Sequence, residues 1–249
     1  LQYAIMLASH AEGKVVLGHV VNPPEIPGSA NPTSGWGAHR LSKRVQEKMK
    51  SLHEIISLEG IDVEEIIEEG DVKECLLKQI EKLKPTLIVL GRNTDRQPGR
   101  ESLLTSLTQS TKVPILVVPR SHNPKIPNRA VLATDMKSFN LREFEPFIEV
   151  IKKSAQGLSV LNIRGGYSSD KDIAEWVNKF NTVYAMEAKV LNPQDDDVVK
   201  SMVKCVNTNN IDLLCTINRN PGLLDKLFST PSTSLIATQV EVPVLLIRD

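Results

Sequence analysis

TLIVLGRNTDRQPGRESLLTSLTQSTKVPILVVPR, residues 86–120, has an echo further along the chain, IDLLCTINRNPGLLDKLFSTPSTSLIATQVEVPVLLIRD, residues 211–249. Both run in one order: an apolar run, a polar turn-rich loop, a Ser/Thr-rich amphipathic stretch, then Val-Pro and a second apolar run. The closing runs are ILVV at 115–118 and VLLI at 244–247. Apolar runs of this length without polar alternation read as strands covered on both faces, the habit of parallel sheets. A strand–loop–helix–strand unit given twice points to two similar domains.

Working outward, the first half alternates helix and strand. Residues 2–11 carry an apolar stripe at helical spacing that stops at Glu12-Gly13, and GKVVLGHVV (13–21) reads as a strand. Residues 25–38 are a loop by composition, 40–59 a helix ended by Gly60, 61–70 a half-buried strand and 71–83 a helix. PRSHNPKIPNR (119–129), with three prolines and no periodicity, reads as linker, so the domains are 1–120 and 130–249 with a linker at 121–129. The second half repeats the programme: strand 130–135, helix 141–155, strand 158–164, helix around 170–180, strand around 183–190, helix near 196–207, then the closing unit. The alternation predicts a doubly wound parallel α/β sheet in each half. One asymmetry stands out. The second half opens on a strand, AVLATD, whereas the first opens directly on its helix, so a short upstream segment or another chain is expected to supply that strand.

The totals narrow the function classes. Of 249 residues 24% are charged and the net charge is zero, which gives no electrostatic case for nucleic acid. No apolar run approaches the roughly 20 residues that span a bilayer, and the first residues lack a basic leader. Cys75, Cys205 and Cys215, set in apolar segments without metal-ligand spacing, read as buried thiols of a reducing compartment, and the expected location is cytoplasmic.

The order and spacing of His19-Val20, LIVLG (87–91), VPILVV (113–118), VLATD (131–135) and VPVLLI (242–247) resemble the universal stress protein family in its tandem form. The resemblance implies two parallel five-stranded sheets of strand order 3-2-1-4-5, of the adenine nucleotide alpha hydrolase-like class, the first lacking its first strand in this chain. It also implies self-association, or an internal pseudo-dimer in which PILVV and PVLLI meet edge to edge and cover two exposed edges.

Family members hold ATP with a loop G-x2-G-x9-G-[ST], whose glycines admit backbone N–H groups to the phosphates ahead of a helix N-terminus. An aspartate ending the first strand and a valine ending the second hold the adenosine. In the first half Val20 and Gly91 match, Thr94 takes the second glycine's place, and Glu101-Ser102 takes the Gly-Ser pair on a loop three residues short. Glu101 would put a carboxylate where phosphate oxygens belong, with Arg92, Arg96 and Arg100 as compensating cations. In the second half the spacing is intact, but Ile217, Asn220 and Thr230-Pro231 occupy the three places, while Asp135 and Ile163 match the adenosine-facing positions. The nucleotide contacts that the resemblance implies are thus Val20, Gly91, Arg92, Ser102 and Asp135, with ATP or AMP and Mg²⁺ as the ligand, and both loops are degraded.

Other residues have plainer readings. Asp195, Asp196 and Asp197 precede a helix whose dipole favours them there, so a metal role is the weaker reading. The five histidines lack ligand spacing. Trp176 reads as helical core, and Trp36 as packed under its own loop. Ser/Thr clusters at 105–111 and 229–234 offer phosphate contacts or helix caps. No catalytic motif appears. The expectation is a non-catalytic stress or regulatory module whose dimer-like body is a platform for an unidentified protein partner or a small ligand. An ATP- or AMP-binding member with weak or no ATPase activity, and the cytoplasmic regulatory tail of a membrane transporter, are the alternatives.

Overall fold

A computed structural model describes residues 1–21, 36–92, 103–120, 122–136, 141–151, 157–163, 169–192, 197–217 and 240–248, with the side chains of 36–42 and 141–143 left aside. Helices and strands alternate as α1 (Gln2–Ala11), β1 (Val15–Val21), α2 (Trp36–Leu58), β2 (Val63–Glu69), α3 (Val72–Leu83), β3 (Ile88–Gly91), α4 (Leu103–Ser110) and β4 (Ile115–Val118). The second half follows with β5 (Arg129–Thr134), α5 (Leu141–Ile151), β6 (Gly157–Asn162), α6 (Asp170–Tyr184), β7 (Lys189–Leu191), α7 (Val198–Thr208), β8 (Leu213–Ile217) and β9 (Val244–Ile247). The fold is α/β.

Packing divides the chain into two compact units, Leu1–Lys84 and Pro85–Asp249. Pro85–Asp249 takes in β3 and β4 because these join the sheet of the second half.

In the first unit β1 and β2 form a parallel pair in register from Val15 opposite Val63 to Val21 opposite Glu69. Ile5 of α1, Val15, Ile56 of α2 and Ile61 make its core. α1 stops on Glu12, in the left-handed conformation at φ 53°, whose N–H returns to the Ala8 carbonyl. The left-handed residue is therefore the glutamate before Gly13, not the glycine. Asp71 caps α3 by accepting from the Glu74 N–H at 3.0 Å. The preceding Gly70 has φ 145°, and a Cβ there would stand 3.2 Å from the Cys75 sulfur, so the turn into α3 requires glycine.

The second unit holds a seven-stranded sheet ordered β3-β4-β9-β8-β5-β6-β7. Counted from β5, the second half's own five strands run 3-2-1-4-5 and are all parallel. β4 and β9 meet antiparallel, Ile115 opposite Leu246 and Val117 opposite Val244, which is the edge-to-edge meeting of PILVV and PVLLI. Leu132, Val160, Leu213 and Leu245, fully buried, line neighbouring strands, the pattern of a sheet covered on both faces.

As the order 3-2-1-4-5 without its first strand implies, the first half's strands separate into β1–β2 and β3–β4. One expectation needs correction. The strand placed around 183–190 is helical at its start: α6 runs to Tyr184, and β7 covers only 189–191. Thr182 and Val183 are β-branched and favour strand, but tertiary packing overrides that preference. Trp176, Phe180 and Tyr184 recur at helical spacing, Trp176 stacks on Phe180 at 5.5 Å, and Phe144 of α5 meets Trp176 and Phe180 edge-on at 5.4 and 5.7 Å. A capping box of Ser169 and Asp172 starts α6. At its far end the Asn181 side chain accepts from the Ala188 N–H at 2.9 Å, fixing the turn into β7.

Candidate functional site

Ligands of doubly wound sheets lie at the carboxyl ends of the strands, where the strand order reverses. In the second half that point lies between β5 and β8. The chain leaves β5 through Thr134, whose carbonyl accepts from the Ile163 N–H at 3.0 Å and whose Oγ1 accepts from the Met136 N–H at 3.2 Å. The bend puts Met136 at φ 53° and holds Asp135 half-buried at the mouth. Three polar residues line the carboxyl ends: Thr134, Asn162 and Thr216, at 2, 6 and 0% exposure. Register places Thr134 beside Asn162, and Thr216 beside Ala133 on the other face. The Thr216 hydroxyl has no hydrogen-bond partner among the described residues.

Sequence reasoning passed over these three, which read as the tails of apolar runs, VLAT, SVLN and LLCT. The available signal was positional: each polar residue falls at or next to the last position of its strand.

The second half departs from the phosphate-loop pattern at its first position. Ile217, where the first glycine belongs, is 5% exposed and paired with Ile247 of β9. A β-branched residue thus stands where the pattern has the glycine that permits close backbone approach to an anion. Asn220 and Thr230-Pro231 lie outside the described residues.

The first-half candidates are distributed differently. Gly91 ends β3 opposite Val118, exposed, and a Cβ there would meet nothing within 4 Å, so open space rather than close packing surrounds it. Arg92 donates its N–H to the Val118 carbonyl at 2.8 Å and its Nη1 to the Val240 carbonyl at 2.7 Å. The guanidinium that was a candidate phosphate partner thus ties β3 to the approach of β9. Because β4 and β9 are antiparallel, Gly91 and Arg92 lie at the opposite strand ends of the seven-stranded sheet from Asp135, Ile163 and Ile217, as two sites, one in each half, would. Val20 sits half-buried in β1 opposite Glu68, within the other unit. Ser102, Glu101, Arg96 and Arg100 lie outside the described residues.

At the edge shared with Arg92, the linker is clamped. Asp212 accepts through Oδ2 from the N–H groups of Asn128 and Arg129, both at 3.1 Å, and its Oδ1 is paired with the Lys125 ammonium. Burial raises the Asp212 pKa, but the bonds from Lys125, Arg129 and Asn128 outweigh it and hold the carboxyl below its ordinary value. Burial lowers the pKa of His122, the Lys125 charge adds to this, and Asp212 and a backbone bond at Glu241 only partly oppose it.

The remaining candidates take their plain readings. Asp197 caps α7 by accepting from the N–H groups of Val199 and Lys200 at 2.9 and 3.1 Å, while Asp195 and Asp196 lie outside the described residues. Thr105, Ser106 and Thr108 are buried, with the Thr108 hydroxyl turned back to the Thr105 carbonyl, so they face the interior rather than an anion. The 229–234 cluster lies outside the described residues, as does the Trp36 side chain. Burial pushes the Cys205 thiol up to about 11 and Cys215 well above its ordinary value, whereas Cys75 is half-buried. No group of three His, Cys, Asp or Glu able to hold a metal occurs among the described residues. No helix among them is long and apolar enough to cross a membrane.

No curated protein sequence matches the chain. Among solved structures, a universal stress protein from Archaeoglobus fulgidus superposes over 98% of this chain and 91% of its own, with 16% identity and a TM-score of 0.74. A functionally unknown protein from Pseudomonas aeruginosa superposes over 98% of this chain and 85% of its own, with 11% identity and a TM-score of 0.59. At these identities the likeness is one of fold. The family model of the universal stress protein family matches residues 1–119. Residues 1–119 thus match the universal stress protein family, and the chain is similar in fold to a solved universal stress protein over nearly its whole length.

Proposed function

We propose that this chain is a non-catalytic stress-response module of the cytoplasm, whose phosphate loops no longer serve a nucleotide and whose body acts as a platform for a protein partner. The observation that carries the reading is Ile217, a buried β-branched residue locked into β8 opposite Ile247 where a phosphate loop would begin. The engagement of Arg92 with the Val240 carbonyl supports it, since that guanidinium already donates to the protein. A second reading, ATP or AMP held by the second half, draws on Asp135 with Thr134 and Asn162 at the carboxyl ends of β5 and β6.

A thermal-shift series with ATP, ADP and AMP, each with Mg²⁺, decides between them. A ligand at about 100 times its Kd adds roughly 2.7 kcal/mol, and each kcal/mol moves a melt of this size by about 2–4 °C. The platform reading expects no shift at millimolar nucleotide. A rise of several degrees that disappears in Asp135→Ala overturns it in favour of the second reading.

A further inference from the structure

We propose that residues 122–127, on the way from β4 to β5, form a strap that a fall in pH releases, with His122 as its latch and the sheet beneath left intact. The strap is pinned at both ends. Pro119 and Pro127 are buried, while Asn123, Pro124, Lys125 and Ile126 between them are exposed. At its start the His122 N–H bonds the Pro119 carbonyl at 3.3 Å, and the imidazole bonds the backbone of Glu241, on the approach to β9. Farther along, the Lys125 ammonium pairs with Asp212 at the entry of β8. Two side chains thus tie the strap to two neighbouring strands, and both ties depend on protonation.

The groups that act on the His122 ring come from three elements. Lys125 belongs to the strap itself, Asp212 stands at the entry of β8, and Glu241 supplies its backbone from the approach to β9. Two further cations of this edge are already engaged. Arg92 donates to the Val240 carbonyl at 2.7 Å, and Arg129 donates its Nη1 to the Asn209 carbonyl at 3.4 Å. Protonating His122 sets another cation beside Lys125 in a half-buried place. Asp212, whose charge opposes this, is committed through both oxygens. Its Oδ2 accepts from the N–H groups of Asn128 and Arg129, both at 3.1 Å, and its Oδ1 holds Lys125. Turning toward His122 would give up the bonds that start β5. The charged ring is therefore better served by water than by its docked place.

The signs separate two steps. Burial, then the Lys125 charge, hold the docked His122 below its ordinary value of about 6.5, so the released strap takes up a proton that the docked one refuses. Docking is at full strength above that value and weakens as pH falls toward the docked one. For Asp212 burial is outweighed by its bonds to Lys125, Arg129 and Asn128, so its hold on the start of β5 lasts until pH falls below about 3.9. The Lys125 pair, mostly exposed, is too weak a tether to keep the strap down by itself. Between the two values lies a window in which the strap is free and the entry of β5 is still fixed.

The test is backbone amide relaxation by NMR on the 249-residue chain, at about pH 7.5 and about pH 5, on either side of the ordinary histidine value. At His122, Asn123, Lys125 and Ile126 the order parameter is expected to fall from about 0.85 to below about 0.6, while Arg129–Thr134 stays near 0.85 at both. His122→Gln keeps a neutral donor and is expected to hold the strap rigid at both pH values. His122→Lys fixes the charge and is expected to leave it mobile at both. The imidazole titration of His122 in the unaltered chain needs no variant to fold, and its midpoint is expected below about 6.5. A strap that stays rigid at the lower pH, is mobile at the higher, or loosens equally in His122→Gln overturns the proposal. So does a His122 midpoint at or above about 6.5. Loss of order in β5 together with the strap overturns it as well, since the event is then acid unfolding of the sheet.

Discussion

Replacing Asp212 by alanine removes a carboxylate that fixes where β5 begins. Its Oδ2 receives the N–H groups of Asn128 and Arg129, and the Asp212 N–H in turn bonds the Arg129 carbonyl at 2.7 Å, so the entry of β5 is aligned with β8 through this residue. A hydrogen bond to a charged group contributes about 1.5–3 kcal/mol. The Asp212 side chain is 12% exposed, so the two amide bonds are only lightly weakened by water. Lys125 is 56% exposed, and its ion pair contributes no more than the ~0–1 kcal/mol of a surface pair. With some rehydration of the vacated amides, Asp212→Ala is expected to cost about 2–4 kcal/mol. Asp212→Asn keeps a neutral acceptor and is expected to cost about half as much. Lys125→Met is expected to cost under about 1 kcal/mol. The assay is urea unfolding followed by Trp176 fluorescence, at pH 7 and again below pH 4. Because the folded Asp212 pKa is depressed, its contribution is present above the unfolded value of about 3.9 and is lost as pH falls through the folded value. The gap between wild type and alanine should therefore narrow in acid. An alanine variant within about 0.5 kcal/mol of wild type at pH 7, or a gap that persists unchanged in acid, refutes the clamp.

Further outcomes follow from the same packing. Phe180→Ala empties a fully buried site ringed by Phe144, Trp176 and Tyr184, and is expected to cost about 3–5 kcal/mol by calorimetry or denaturant. His122 has a depressed folded pKa, so folding favours its neutral form. Its contribution is complete above about pH 6.5 and is lost as pH falls toward the folded value, and His122→Gln should flatten a melting profile across that range. A thiol reagent on the native protein is expected to spare Cys205 and Cys215 and to reach Cys75 first, with all three reacting in denaturant. Arg92→Met is expected to lower stability by about 1–2 kcal/mol while leaving nucleotide response unchanged, since its guanidinium serves the Val240 carbonyl.

Period and punctuation made most of the fold legible. Apolar runs such as VLLI and ILVV marked strands because a two-sided covering leaves no polar alternation, and each found its place in the sheet. The end of α6 was not legible, because Thr182-Val183 favours a strand locally and only the stacking of Trp176, Phe180 and Tyr184 keeps it helical. The candidate positions were legible as two sets, one in each half, and so was the edge-to-edge meeting of β4 with β9. The engagement of Arg92 with the Val240 carbonyl was not legible, since it joins residues 148 positions apart. The Asp212 clamp was missed for the same reason, its partners lying 83 and 84 positions upstream.

The β4–β9 seam also sets a timetable for synthesis. β4 leaves the ribosome with its apolar run Ile115–Val118 bare on one side, and its partner Val244–Ile247 is translated only after the whole of the intervening second half. Closing that gap carries the slow kinetics of distant contacts, and until it closes each nascent chain displays an uncharged strand edge to its neighbours on the same message. Mispairing through this edge is expected to grow with the delay between synthesis of β4 and of β9.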